Sequence, residues 1–96
     1  MKSSNEQTLK EAIFQLLKTY KLQDGINETK IINSWESIVG KMITNHTENI
    51  YIRNKKLYLK LDSPALKNEL SFAKTKLIKS LNDIVKQQVI EEIVFL

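Results

Sequence analysis

Two tyrosines and three cationic residues near the middle of the sequence give its strongest chemical signal. They are Tyr51, Arg53, Lys56, Tyr58 and Lys60. On one open face of a β-sheet, such rings can stack on nucleic-acid bases while the cations neutralise phosphates, each stacked base contributing ~1–3 kcal/mol. Two other interpretations stay open: tyrosines are common strand residues whose rings shield the sheet backbone, and the first helix can cover this face.

Four residues elsewhere in the chain are additional candidates for contact with a partner. Lys76 and Lys79 are secondary candidates for phosphate contact. Phe72 projects from the same predicted helix face and can anchor a partner protein. Packing of Phe72 against the first helix is the interpretation we favour slightly. Phe14, which lies off the apolar stripe of the first helix, is a weaker candidate for partner binding.

The residues that could support catalysis or metal binding are sparse. His46 is the only histidine and there is no cysteine, so the sequence lacks the ligands that a zinc site needs. We expect His46 to close a helix. The neighbouring Glu91 and Glu92 point to opposite faces of a strand and cannot act as a catalytic pair. Gly25 and Gly40 stand alone, so the sequence has no glycine-rich phosphate-binding loop. The sequence therefore predicts a protein that is not an enzyme, with no metal and no cofactor.

Composition favours one small globular domain. The chain has 96 residues, of which 42% are hydrophobic, and one core suffices at this length. We expect a flexible N-terminus at residues 1–6 and a single domain at residues 7–96. No apolar run is long enough to span a bilayer, so a cytoplasmic protein without a membrane partner is expected.

The net charge of +4 comes from the second half of the chain. Residues 1–48 are neutral, whereas residues 49–96 hold nine Lys or Arg against five acidic residues. This distribution favours an acidic partner, either nucleic acid or an acidic protein surface. A solvated lysine-rich surface explains it equally well.

The elements that must position these residues begin with two amphipathic helices. The first is predicted from Gln7 to Lys21 and ends at Gln23-Asp24-Gly25, with Gly25 as its cap. Asn27 is the predicted N-cap of the second helix, whose apolar stripe begins at Ile31 and includes Trp35. We expect both stripes to pack against the rest of the chain.

A change to alternating apolar residues then predicts a β-hairpin. With Asn54-Lys55 as the turn, the predicted pairs are Arg53–Lys56, Ile52–Leu57, Tyr51–Tyr58 and Ile50–Leu59. This register places every aliphatic side chain on one face and both tyrosines side by side on the other.

A third helix and a last strand complete the predicted fold. Ser63 and Pro64 are a helix-start signal, and the stripe that follows reaches about Lys86. Residues 89–96 are rich in β-branched side chains and predict a strand. The fold class is α+β, ordered α-α-β-β-α-β, with helices on one face of a three-stranded sheet. The sequence leaves the oligomeric state and the place of the last strand open.

Several short motifs, taken in order, resemble a known family. They are Ser34-Trp35-Glu36-Ser37-Ile38-Val39-Gly40, His46-Thr47, Leu57-Tyr58-Leu59-Lys60-Leu61, Ser63-Pro64, Glu69-Leu70, Leu81-Asn82 and Ile93-Val94-Phe95. In this order and spacing, over roughly residues 9–96, they resemble the bacterial DciA family, first catalogued as a domain of unknown function.

The resemblance implies a function and a fold. DciA-like proteins bind the hexameric replicative DNA helicase and help to load it, and DNA binding has been attributed to them. Their domain is described as KH-like, although the Gly-x-x-Gly clamp of KH domains is absent here.

Three functions therefore compete at this point. The first is a replication accessory protein that binds the replicative helicase and single-stranded or forked DNA. The second is a protein-interaction module without nucleic-acid binding, using Phe72 or Phe14. The third is an RNA-binding KH-like domain.

Overall fold

The computed structural model describes the backbone of residues 3–96 and the side chains of residues 8–96. In this part of the chain the elements are α1 (Ser3–Asn33), α2 (Trp35–Val39), α3 (Lys41–Asn45), β1 (Thr47–Arg53), β2 (Lys56–Leu61), α4 (Pro64–Ser71), α5 (Lys74–Val85) and β3 (Glu92–Phe95). The strands form one sheet in the order β1-β2-β3. The predicted α+β class and element order are confirmed. The predicted flexible terminus falls partly outside the described residues.

The helix α1 is continuous over 31 residues. It passes through Gly25, so the predicted helix end at Gln23-Asp24-Gly25 and the predicted N-cap role of Asn27 are wrong. A glycine inside a helix costs about 1 kcal/mol relative to alanine, which weakens the helix without stopping it. Asn27 is instead buried inside the helix, where its side chain accepts a hydrogen bond from Gln23 Nε2 and donates one to Gln87 Oε1, both at 3.0 Å.

Most of α1 extends away from the rest of the protein. Every residue from 8 to 26 is exposed, whereas Ile31 is fully buried. The structure accordingly measures 64 × 22 × 20 Å. The prediction that the first apolar stripe packs against the rest of the chain is wrong for residues 8–26, because the uninterrupted helix carries them beyond the edge of the core.

The predicted second helix is divided at two residues. Ser34 separates α1 from α2, and Gly40 separates α2 from α3. The φ angle of Gly40 is 92°, in the region that residues with a Cβ rarely adopt. These bends bring Trp35 into the core, with 3% of its surface exposed, while the chain turns towards β1.

The hairpin of β1 and β2 has the predicted register. Its turn residues Asn54 and Lys55 have φ angles of 53° and 63°, as a type I′ turn requires. Two-residue turns of this type continue the right-handed twist of the strands, so the turn fixes which residues face each other. All four predicted pairs, from Arg53–Lys56 to Ile50–Leu59, are confirmed.

The predicted third helix is divided into α4 and α5. Ser63 caps α4, because its Oγ accepts a hydrogen bond from the Leu66 backbone N–H at 3.3 Å. The prediction of one continuous helix is wrong at Phe72 and Ala73, whose N–H groups bond three residues back and close a turn. At the other end, Lys86 adopts a left-handed conformation with φ of 54°.

A side chain of α5 places the last strand. Asn82 Oδ1 accepts hydrogen bonds from the backbone N–H groups of Val89 and Ile90, and its Nδ2 donates to the Ile90 carbonyl. The buried segment 89–90 is thereby held against α5, and β3 runs parallel to β2. The sequence predicts a strand over residues 89–96, but these backbone groups bond to Asn82, so the strand is confined to Glu92–Phe95.

One core joins the helices to the inner face of the sheet. It consists of Ile31, Trp35, Leu57, Leu59, Leu70, Leu77, Leu81, Val89, Ile90 and Ile93. Because the aliphatic residues of the hairpin face this core, its tyrosines lie on the opposite face. Among the described helices, none is both long and apolar enough to cross a bilayer.

Candidate nucleic-acid interface

The hairpin register brings Tyr51 and Tyr58 together on the outer face of the sheet. Their ring centroids are 4.9 Å apart and their planes differ by 9°, so the rings are stacked. Both side chains are half-buried. The prediction that the two tyrosines lie side by side is confirmed, and residues 8–26 of α1 do not cover them, because that segment is itself exposed.

The position of this pair in the sheet leaves one ring face available. Val94 of β3 pairs with Tyr58, so the row across the sheet is Tyr51, Tyr58, Val94. Tyr58 thus has a neighbour on each side. Tyr51 lies on the edge strand β1 and has a neighbouring strand on one side only. The outer face of the Tyr51 ring is therefore the place where a further aromatic ring can join the stack.

Two cations face each other beside the tyrosines. Arg53 and Lys56 are direct cross-strand partners next to the turn, and both are exposed. Like charges in this position repel each other and disfavour the hairpin. A bound anion relieves that repulsion, so the pair is suited to hold a phosphate.

Acidic residues offset some of the remaining positive charge. Lys60 Nζ lies 3.6 Å from Glu48 Oε1. Glu48 lies in β1 where the register shifts between Thr47 and Asn49. Glu92 pairs with Lys56 across β2 and β3. Its pKa is lowered, first by the hydrogen bond from the Ile93 backbone N–H and then by Lys74, so its charge persists at neutral pH.

Arg53 keeps the least compensated charge of the group. Among the described side chains, no carboxylate lies within salt-bridge distance of it. The parallel register of β3, which places Glu92 and Val94 beside the hairpin, carries no sequence signal. These two neighbours of the candidate residues were therefore not predictable.

Lys76 and Lys79 are not brought together with the hairpin. Both are exposed on α5, whose buried residues Leu77 and Leu81 face the core. Because α5 covers the inner face of the sheet, its outward side chains lie in a different layer from the tyrosines. The two lysines remain candidates for a separate contact.

The two phenylalanines proposed for partner binding lie far apart in the sequence and are both exposed. Phe72, between α4 and α5, exposes 84% of its surface. Our favoured interpretation, that it packs against the first helix, is wrong, because α1 extends away from α4. Phe14 is also exposed, with Lys18 Nζ 5.5 Å from its ring centroid.

His46 has a structural role. Its Nδ1 lies 2.7 Å from Asp62 Oδ1, and its carbonyl accepts a hydrogen bond from the Asp62 backbone N–H. These bonds tie the end of α3 to the end of β2. In the described part of the chain, no three side chains of His, Asp or Glu are grouped closely enough to hold a metal ion.

The same region explains the spacing of Trp35 and the His-Thr pair. The indole Nε1 of Trp35 donates a hydrogen bond to Thr47 Oγ1 at 3.1 Å, and Thr47 Oγ1 donates to the Ile43 carbonyl at 2.7 Å. The motif therefore encodes a partly buried connection between α2, α3 and β1. The sequence reveals the three residues but not the hydrogen bonds that join them.

Comparison with known proteins gives one clear result. No curated protein matches the chain. A family model described as "Dna[CI] antecedent, DciA" matches residues 8–95. The matched residues include Trp35 and Thr47, the hairpin with its stacked tyrosines, and Asn82. Since it covers nearly the whole sequence, this chain belongs to the DciA family.

Proposed function

We propose that this protein is a non-catalytic replication accessory protein that binds single-stranded DNA with the outer face of its sheet and acts together with the replicative helicase. Family membership supports the role in replication. The observation that carries DNA binding is the stacked pair of Tyr51 and Tyr58 beside Arg53 and Lys56. The role implies a site of action in the cytoplasm, on the chromosome.

The geometry favours single strands over a duplex. A base can stack on the outer face of Tyr51 only if it is unstacked from its own neighbours, as in single-stranded nucleic acid. The phosphate beside that base then lies near Arg53 and Lys56, whose mutual repulsion it relieves. RNA offers the same base rings and phosphates as DNA. Binding is therefore compared between a single-stranded DNA oligonucleotide and a single-stranded RNA oligonucleotide of the same sequence.

A salt titration with single-stranded DNA tests the contact with phosphates. Log affinity falls with log salt concentration by about 0.7 for each phosphate neutralised on a single strand. The double variant Arg53→Gln/Lys56→Gln removes the pair that holds one phosphate, so it is expected to bind several-fold more weakly at low salt and to reduce the slope by about 0.7. Fluorescence anisotropy with a labelled oligonucleotide measures both quantities.

The matched control removes the same two positive charges from α5, which lies on the other side of the sheet from the tyrosines. Lys76→Gln/Lys79→Gln is expected to keep a slope close to that of the parent protein, since these lysines lie outside the hairpin face. Absence of binding to the oligonucleotide at low salt would remove nucleic acid from the proposed function. Equal effects of the two double variants would show that positive charge acts without a defined site.

Exposure of Phe72 favours a second activity, protein binding. An aromatic side chain with 84% of its surface exposed is a suitable anchor for a partner protein. Phe72→Ala is expected to lower the amount of nuclease-treated replicative helicase captured by the tagged chain at least about fivefold, equivalent to ~1 kcal/mol.

The variant Phe14→Ala is the matched comparison for this measurement, because it removes an exposed aromatic ring from α1. Capture unaffected by Phe72→Ala but reduced by Phe14→Ala would place the helicase contact on α1. Capture unaffected by both would exclude the phenylalanines as anchors. Because the helicase is freed of nucleic acid, the result does not depend on DNA binding by the hairpin.

A further inference from the structure

Residues 8–26 of α1 carry apolar side chains that are largely exposed. We call residues 8–26 the helix arm. Leu9, Ile13, Leu16 and Tyr20 each expose between 53% and 69% of their surface. In proteins, most of the stability of a helix comes from the packing of its apolar face. A partner that covers these side chains would therefore stabilise the arm as well as bury them.

The spacing of the four residues is that of a coiled-coil seam. They follow one another at intervals of four, three and four residues, which keeps them on one side of the helix. Ile31 lies eleven residues after Tyr20, about three helical turns, and is therefore on the same side. Since Ile31 is fully buried, the folded core lies on the stripe side of α1. The stripe ends at Tyr20, and the buried residues of α1 begin at Asn27.

The stripe is complementary to itself in the antiparallel direction. With a twofold axis between Phe14 and Gln15, Leu9 faces Tyr20 of a second copy and Ile13 faces Leu16 of that copy. All four layers are apolar. In this register the start of one α1 reaches residue 26 of the other, just before the buried Asn27. The overlap thus uses the full arm and stops at the core of the second copy.

A parallel pair fits less well. It would place both cores at the same end of the coil, and each core lies on the stripe side, where the second helix would have to run. The antiparallel pair places the two cores at opposite ends. The direction of pairing thus follows from the position of Ile31 relative to the stripe.

We propose that the helix arm is a dimerisation element that pairs antiparallel with the arm of a second copy of this chain. Leu9, Ile13, Leu16, Leu17 and Tyr20 together offer on the order of 600 Å² of surface per copy, somewhat below the ~800 Å² per partner of standard stable interfaces. The dimer is accordingly expected to dissociate on dilution. This inference does not depend on DNA or helicase binding.

Sedimentation velocity over a wide range of concentrations tests the association. The parent chain is expected to change from 11.2 kDa to twice that mass as its concentration rises. Ile13→Asp is expected to weaken association at least ~100-fold, because each dimer would bury two carboxylates in an apolar seam. Circular dichroism of the variant checks that the core remains folded.

Leu22→Asp is the matched control. It removes an aliphatic residue of the arm that is even more exposed than Ile13 and adds the same charge, but it lies off the stripe. This variant is expected to associate like the parent chain. A parent chain that is monomeric at every concentration would overturn the proposal and leave the stripe to a different protein. Equal loss in both variants would overturn the assignment of the seam.

Cysteine cross-linking tests the direction, since the sequence has no cysteine of its own. Leu9→Cys/Tyr20→Cys is expected to form a covalent dimer on oxidation. The two positions lie ~16 Å apart along one helix and cannot bridge within a chain. Each single variant is expected to stay uncross-linked. A covalent dimer from Leu9→Cys alone would indicate parallel pairing and overturn the antiparallel arrangement.

Discussion

Replacing both Tyr51 and Tyr58 with alanine is expected to weaken binding of single-stranded DNA about 5- to 150-fold. One base stacked on an aromatic side chain contributes ~1–3 kcal/mol, and each 1.4 kcal/mol corresponds to a tenfold change in affinity. The expected loss is that of one stacked base, because Tyr58 is enclosed between Tyr51 and Val94 in the sheet.

The two single variants should therefore differ. Tyr51→Ala removes the ring whose outer face is free, so it is expected to account for most of the loss. Tyr58→Ala leaves that ring in place but removes the neighbour against which it is stacked at 4.9 Å. Its effect is expected to be smaller and to come from reduced order of Tyr51.

The matched control keeps the stack and changes only the hydroxyl groups. Tyr51→Phe/Tyr58→Phe is expected to bind with nearly the affinity of the parent chain. Anisotropy titrations at one low salt concentration measure all four variants, and urea denaturation checks that each is folded. The stacked pair contributes ~0.5–1.5 kcal/mol to stability, which a folded domain can lose. Unchanged affinity in the folded double alanine variant would move nucleic-acid binding away from this face.

The hairpin shows what the sequence could predict. Its register followed from two independent local constraints: the alternation of aliphatic residues and the pair Asn54-Lys55, which must adopt positive φ. Both constraints involve residues close in sequence, and they gave the same pairing. The stacking of Tyr51 on Tyr58 is a direct consequence of that register, so the central part of the candidate site was predictable.

The helices show where local signals fail. Gly25 was expected to end the first helix and did not, while Ser34 and Gly40 interrupt the second. A glycine permits a break, but whether one occurs depends on the energy gained by packing. The breaks at Ser34 and Gly40 allow Trp35 to reach the core, whereas a break at Gly25 would have to be stabilised by contacts that the arm does not make.

Contacts between distant segments lay beyond the sequence signal altogether. The parallel pairing of β3 with β2 depends on Asn82, whose side chain bonds to residues seven and eight positions ahead. The surroundings of the tyrosines, including Val94 and Glu92, follow from that pairing. A sequence pattern identifies such residues as a motif, but only the fold shows which backbone groups they satisfy.

The largest loss of stability is expected from Trp35→Ala. Trp35 is the only tryptophan and has 3% of its surface exposed in the core. Removing a buried aromatic side chain of this size typically costs ~3–5 kcal/mol, through lost burial and the cavity that remains. This is a large part of the ~5–15 kcal/mol that stabilises a domain. Urea denaturation followed by circular dichroism measures the loss without relying on tryptophan fluorescence.

Two further variants separate the packing of Trp35 from its hydrogen bond. Trp35→Phe keeps most of the ring and removes the N–H that Thr47 accepts. Thr47→Val removes the acceptor and leaves the buried indole N–H unsatisfied, at a cost of ~1–3 kcal/mol. Each is expected to destabilise the protein less than Trp35→Ala. A double-mutant cycle of Trp35→Phe and Thr47→Val should show coupling, because Trp35 Nε1 and Thr47 Oγ1 are 3.1 Å apart.

Phe72→Ala is the matched control for loss of an aromatic ring. Because Phe72 is largely exposed, its removal is expected to change stability by less than about 0.5 kcal/mol. The comparison thus sets a buried aromatic residue against an exposed one in the same protein. A cost of less than ~1 kcal/mol for Trp35→Ala would contradict its place in the core.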